Sequence, residues 1–215
     1  IMDWMNGRIL QAIHTDVGNV SYEYNSNGVR TAKTVNNIRT EYLRDAEDRL
    51  LGEETQGEYL WYLYDATGKA AGYEWQGNSY YYVRNAMGDV EGISDMEGNL
   101  LCSYYYDAWG NVTEVTGDKE LAEKNSIRYR GYYYDEESGF YYLKTRYYDP
   151  EAKRFLNRDC LENESNLYQY CYNNPVNYSD ESGMSAYSCS DRYVEIVELS
   201  GYTMSTMTII PGGSK

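Results

Sequence analysis

Around the recurring turn signals of the first 116 residues the apolar letters sort onto two faces with a period of two rather than 3.6, which predicts strands. In the run from Leu60 to Tyr64, Leu60, Tyr62 and Tyr64 share one strand face while Trp61 and Leu63 take the other. The alternation is punctuated at a near-constant interval. Aligned on a Tyr-x-Tyr-Asp core, six units recur: Tyr22 to Asn25, Tyr42 to Asp45, Tyr62 to Asp65, Tyr82 to Asn85, Tyr104 to Asp107 and Tyr132 to Asp135. Their Asp or Asn positions step by 20, 20, 20, 22 and 28 residues, the mark of a repeat architecture. Glycine follows three residues later at Gly28, Gly68, Gly88 and Gly110, and four later at Gly139. Asp48 stands in its place in the second unit.

An Asp or Asn that opens a turn accepts backbone N–H bonds, and a glycine three residues on takes the left-handed conformation that returns the chain as a bulged hairpin. A lone hairpin cannot bury its apolar face, so neighbours must pair side by side. The expected class is therefore mainly β: consecutive antiparallel hairpins in a curved, spiralling sheet. Six hairpins supply about twelve strands and, at roughly 4.8 Å each, about 60 Å of sheet. A vessel around a folded domain of roughly 150 residues needs a circumference near 150 Å, so an arc is expected and not a closed shell. The repeats occupy residues 1–116. Residues 117–127 are a polar insert that accounts for the step of 28 and suits a short helical turn.

Tyrosine occurs 28 times against two phenylalanines. Its ring packs while its hydroxyl seeks a polar partner, which suits a sheet with one face packed and the other wet or lining a polar cavity. The formal charge of −15 repels phosphate backbones and argues against a nucleic-acid partner. The cysteines at 102, 160, 171 and 189 form no CxxC pair and have no histidine nearby, so neither zinc nor a disulfide framework is expected, and no metal or cofactor is implied. His14, the single histidine, reads as a surface side chain. No apolar run approaches the roughly 20 residues of a membrane helix, and the opening residues lack the features of a signal peptide. Beginning at Ile1, the chain reads as a piece of something longer.

The units resemble the YD repeats of RHS proteins, relatives of wall-associated polymorphic toxins and insecticidal toxin complexes. The later sequence strengthens the resemblance. Tyr129 to Asp135, Tyr141 to Pro150 (YYLKTRYYDP), Arg154 to Asp159, Asn166 to Tyr170 (NLYQY) and Asn173 to Tyr178 (NNPVNY) follow, in order, the RHS core-associated pattern. The resemblance implies a hollow shell wall closed by a core-associated lid over residues 128–184, with a C-terminal toxin held inside. The partners it implies are the upstream YD repeats of the same shell, the toxin cargo, and immunity or secretion-system proteins. The location it implies is secreted or cell-envelope. It also implies self-cleavage after a DPxGL-type motif, here Asp180 to Met184, with Met184 to Ser185 as the scissile bond. Arg158 and Asp159 match the family's Arg-Asp pair.

Two carboxylates suffice for such chemistry if one stays protonated and the other activates water, and Asp159 and Asp180 are the candidates. An adjacent guanidinium from Arg158 would hold one carboxylate ionised or stabilise the tetrahedral intermediate. Cys160 and Glu181 replace the prolines usual after these aspartates, which loosens both turns. The plain structural reading is that both aspartates cap turns. Residues 185–215 are too short for an independent core and suit a docked strand pair, with Tyr193 to Leu199 as a strand, or the stub of an effector. A different reading is a cell-wall or glucan-binding module using Trp61, Trp75 and Trp109 as stacking platforms. Against it, the tryptophans do not recur at one repeat position.

Overall fold

A computed structural model of the chain describes residues 1–15, 18–159 and 166–189. Its main body is an antiparallel sheet of twelve strands whose spatial order is the sequence order. The first six are β1 (Met2–Met5), β2 (Ile9–Thr15), β3 (Gly18–Tyr24), β4 (Arg30–Val35), β5 (Ile38–Arg44) and β6 (Leu50–Thr55). They continue as β7 (Glu58–Tyr64), β8 (Ala70–Trp75), β9 (Asn78–Arg84), β10 (Val90–Ser94), β11 (Leu100–Tyr106) and β12 (Val112–Gly117). β1 and β12 remain edges, so the sheet is an open wall.

Two turn chemistries alternate along this wall. In the first, an Asp or Asn side chain accepts backbone N–H bonds from residues two and four positions on. Asn25 accepts from Asn27 and Val29, Asp65 from Thr67 and Lys69, and Asp107 from Trp109 and Asn111, all at 2.8–3.0 Å. Asp45 and Asn85 do the same in their own units. The strand register shifts by a bulge beside each of these turns. In the second, two residues of positive φ connect the strands directly: Asn36 and Asn37, Gln56 and Gly57, Gln76 and Gly77. These are the tight turns whose twist matches that of paired strands.

The step of 22 between Asn85 and Asp107 has its cause here. Between β10 and β11 the two-residue connection is replaced by a second Asp turn, with Gly98 N–H on the Asp95 carbonyl at 3.2 Å and Asn99 N–H on its carboxylate at 2.8 Å. The hairpin count is also distributed differently from the reading above. Five YD hairpins and the additional hairpin β1–β2 make the wall, whereas the sixth unit, ending at Asp135, opens a separate sheet.

That second sheet comprises β13 (Tyr133–Asp135), β14 (Phe140–Tyr142), β15 (Tyr147–Asp149) and β16 (Arg154–Phe155). A short pair, β17 (Tyr178–Ser179) and β18 (Tyr187–Ser188), follows. Helix α1 (Lys119–Lys124) leads from wall to lid, its N-terminus capped by the Asp118 carboxylate on the N–H groups of Glu120 and Leu121. Buried tyrosines of the wall, among them Tyr22, Tyr42, Tyr62, Tyr73 and Tyr104, share one core with Tyr133, Tyr142 and Tyr147 of the lid. Over the described residues these wall tyrosines are thus covered by the chain's own lid. A second core of Tyr129, Tyr141, Tyr148, Phe155 and Tyr170 lies within the lid.

Candidate functional site

The lid brings Asp159 and Asp180 to one guanidinium, that of Arg146. Arg146 Nη1 lies 2.8 Å from Asp159 Oδ2 and Nη2 lies 3.2 Å from Asp180 Oδ2. Arg146 stands in the RYYDP segment, just before β15, and is 5% exposed, with its guanidinium 3.6 Å from the centre of the Phe155 ring. Arg158, which the family pattern places next to Asp159, is exposed. Arg146 lies inside the YYLKTRYYDP stretch, which the sequence reading used only as part of the core-associated pattern. The signal was an arginine opening an aromatic run otherwise destined for the core.

Asp180 holds the chain around the expected scissile bond. Its Oδ1 accepts the N–H groups of Ser182, Met184 and Ser185 at 3.3, 3.1 and 3.3 Å. Its own N–H donates to the Tyr132 hydroxyl at 2.9 Å, and that hydroxyl meets Tyr170 at 3.1 Å. The turn is therefore closed by three amides although Glu181 stands where proline is usual. Burial pushes the Asp180 carboxyl up, opposed by Arg146 and by the N–H groups of Ser185, Ser182 and Met184. On the other side of the turn, Arg146 Nε donates to the Gly183 carbonyl at 2.5 Å, and Thr145 Oγ1 donates to the Ser182 and Gly183 carbonyls at 2.7 and 2.9 Å.

Gly183 is required by this geometry. Its φ is +71°, and a Cβ there would sit 2.8 Å from Thr145 Oγ1 and 2.9 Å from the Leu143 carbonyl oxygen. Met184 is exposed and Ser185 half-buried. Cys160 and the Tyr193 to Leu199 strand lie outside the described residues.

The remaining turn residues divide by role. Asn25, Asp45, Asp65, Asn85 and Asp107 use their side chains on their own turns, and Gly28, Gly68, Gly88 and Gly110 each return an N–H to the carbonyl three residues back. Asp135 differs. Gly139 N–H reaches its carbonyl at 2.8 Å, but its carboxylate is turned into the wall, onto Arg30 and Lys33. The tryptophans form no common platform: Trp61 is exposed and stacks on Tyr59, Trp75 is buried with Nε1 on Glu58, and Trp109 is half-buried. His14 is exposed, between Asn19 at 2.8 Å and Asp3 at 2.9 Å.

No family model matches the chain. The tRNA3(Ser)-specific nuclease WapA of Bacillus spizizenii is 40% identical to it over 172 residues, 76% of this chain and 7% of that protein. The toxin protein Tse5 of Pseudomonas aeruginosa is 36% identical over 94 residues, 43% of this chain and 7% of that protein. The chain therefore spans less than a tenth of the length of these curated relatives. Among solved structures, the crystal structure of TcdB2-TccC3-TEV matches with a TM-score of 0.68 at 22% identity, over 85% of this chain and 10% of that one. An open wall of Asp-gated hairpins and a lid built on the RYYDP and NNPVN segments, with the likeness to WapA over 172 residues and to Tse5 over 94, make this chain a member of the RHS/YD-repeat family.

Proposed function

We propose that this chain is the wall and lid of a carrier that encapsulates and presents a C-terminal toxin, and that the lid cuts its own chain between Met184 and Ser185. The observation that carries the cleavage reading is the double engagement of Asp180. One oxygen accepts the Ser185 N–H, the amide that becomes the leaving amine, and the other is tied through Arg146 to Asp159.

The roles follow from position. Water attacks the Met184 carbonyl carbon and gives a proton to Asp159. The C–N bond to Ser185 then breaks, and Asp180 supplies the proton that the leaving nitrogen takes up. The raised Asp180 carboxyl suits a proton donor, and Arg146 holds the two carboxyl groups in register. The carrier reading is supported by the fold and by the toxin names among the relatives. Delivery outside the producing cell and an immunity partner belong to the same reading.

Intact mass of the purified chain tests the cleavage. The expected products are residues 1–184 and a 31-residue peptide beginning at Ser185, with only the full chain seen for Asp159→Asn and for Asp180→Asn. A cut that persists in both variants removes the two-carboxylate assignment. An uncut wild-type chain removes self-cleavage and leaves the carrier role to be tested by co-purification with the downstream domain.

A further inference from the structure

In each of the five YD hairpins of the wall, the residue immediately before the turn Asp or Asn makes the same bond. Tyr24 donates its hydroxyl to the Leu10 carbonyl at 2.6 Å, Tyr106 to the Val90 carbonyl at 2.7 Å, and Tyr64 to the Leu50 carbonyl. Each bond stitches one hairpin to the hairpin before it. In the units between these, arginine does the same job: Arg44 Nε donates to the Arg30 carbonyl at 3.1 Å, and Arg84 Nη2 donates to the Ala70 carbonyl. A stitch requires only a donor, which tyrosine provides. Placing a guanidinium in a half-buried position costs more desolvation than placing a phenol there, so the charge at positions 44 and 84 asks for a use of its own.

Both arginines, with Tyr64 between them, line one cavity of about 420 Å³ between the turn edge of the wall and the lid. Apart from Arg30, which Asp135 neutralises, six cationic side chains line it: Arg44, Arg49, Lys69, Arg84, Arg130 and Lys144. The acidic residues lining it are Glu47, Asp48 and Glu181. This concentration of positive charge occurs in a chain of formal charge −15. Arg49 pairs with Asp45 at 2.9 Å, and Arg130 Nε lies 3.6 Å from Asp89. The acceptors of Arg44 are two backbone carbonyls, those of Arg30 and Asp48. Arg84 bonds the Ala70 carbonyl, and its buried Nε has no hydrogen-bond partner. Carbonyl acceptors orient a guanidinium without neutralising it. Burial lowers the proton affinity of Arg84, against the opposing pull of Tyr82 and Asp65.

We propose that this cavity binds a compact oxyanion of the phosphate class, gripped by Arg44 and Arg84 with Arg130 and Lys144 around them. The planar forks of two pre-oriented guanidinium groups match the paired oxygens of such an anion, and the cavity lies in the size range of small-ligand sites. The cavity reaches the cleavage turn at Glu181 and Tyr132, but the binding proposed here does not depend on the Asp159–Asp180 chemistry.

Calorimetric titration of the full chain with inorganic tripolyphosphate tests the site. Saturable one-site binding that weakens with added salt is expected. Arg44→Tyr and Arg84→Tyr keep a stitch donor and remove the charge. Each is expected to weaken binding about tenfold, and the double variant to abolish it. Exposed Lys144→Gln is expected to weaken binding several-fold, while Arg39→Gln, paired with Glu23 and Glu41, leaves it unchanged. Absence of saturable binding by the wild-type chain overturns the proposal. So does wild-type affinity in the double variant with an unchanged melting temperature. Should the double variant not fold, wild-type affinity in both single variants and in Lys144→Gln has the same force. A hexaglutamate peptide that binds where tripolyphosphate does not overturns the phosphate class.

Discussion

Arg30 of the wall and Asp135 of the lid meet in a two-point ion pair, with Nη1 at 2.5 Å from Oδ2 and Nη2 at 3.1 Å from Oδ1, and both side chains are out of contact with water. Lys33 adds a second cation at 3.2 Å from Oδ1. The Arg30 guanidinium also lies within 6 Å of five tyrosine rings, Tyr22 and Tyr42 from the wall and Tyr133, Tyr142 and Tyr147 from the lid. A YD-type aspartate has been diverted from its own turn to fasten lid to wall. Burial alone would raise its carboxyl, but Arg30 and then Lys33 outweigh this and hold it below the ordinary carboxylate range.

Asp135→Asn leaves Arg30 buried without its counter-charge and is expected to cost about 3–5 kcal/mol. The sign of the pH effect is set by the lowered carboxyl. The stabilisation is fully present above the ordinary Asp range and is lost as pH falls through the folded-state value. Urea unfolding of both proteins along a descending pH series checks this. The gap between wild type and variant is expected to be constant near neutrality and to narrow in acid. A gap that stays constant into strong acid would show that the pair adds no pH-dependent stability.

Most of the wall is legible in the sequence because its turns are made by side chains with local jobs. Asn25, Asp65 and Asp107 bond to N–H groups two and four residues on, so their spacing is written directly in the chain. The Asp95 turn carries the same Asp and Gly98 but lacks the preceding Tyr-x-Tyr, and an alignment keyed on tyrosine passes over it. Asp135 fits the spacing, yet its carboxylate answers to Arg30, 105 residues away, and no local pattern records that partner. Arg146 is hidden for the same reason: its partners Asp159 and Asp180 converge only when the lid folds.

The stitches predict a graded series. Tyr24 makes two bonds through one hydroxyl, to the Leu10 carbonyl and to the Tyr147 hydroxyl at 2.8 Å, whereas Tyr64 bonds the Leu50 carbonyl. Loss of a hydrogen bond costs about 1 kcal/mol, and an acceptor left buried costs somewhat more. Tyr24→Phe is therefore expected to destabilise the chain by about 2 kcal/mol and Tyr64→Phe by about 1 kcal/mol. Chemical denaturation of the two variants measures the order, and a larger loss for Tyr64→Phe would contradict the wall-to-lid contribution of Tyr24.

Gly183→Ala separates the cleavage turn from the rest of the lid. The added methyl group meets Thr145 and the Leu143 carbonyl on a residue already at positive φ, at an expected cost of about 1–3 kcal/mol. Relief of that contact moves Met184 and Ser185 away from Asp180. The expected outcome is a well-folded protein whose fragment ending at Met184 forms at least tenfold more slowly, read by intact mass over time. Unchanged cleavage would mean that the turn seen here is not the reactive one.

The pH dependence of cleavage distinguishes Asp180 as proton donor from Asp180 as a turn cap. Burial raises its carboxyl against the opposing pull of Arg146, so the protonated form persists to higher pH than in an ordinary aspartate. If that form delivers the proton to the Ser185 nitrogen, the rate falls as pH rises through the folded-state value. Arg146→Gln removes an influence that favours the charged form, raises the carboxyl further, and moves the falling limb to higher pH even if the absolute rate drops. Stability follows the same sign: a raised carboxyl contributes most in acid, and its contribution is lost as pH rises through the folded-state value. Rates of fragment formation for wild type and Arg146→Gln across mildly acidic to mildly alkaline buffers provide the check. A limb that stays in place when Arg146 is removed assigns the titration to some other group.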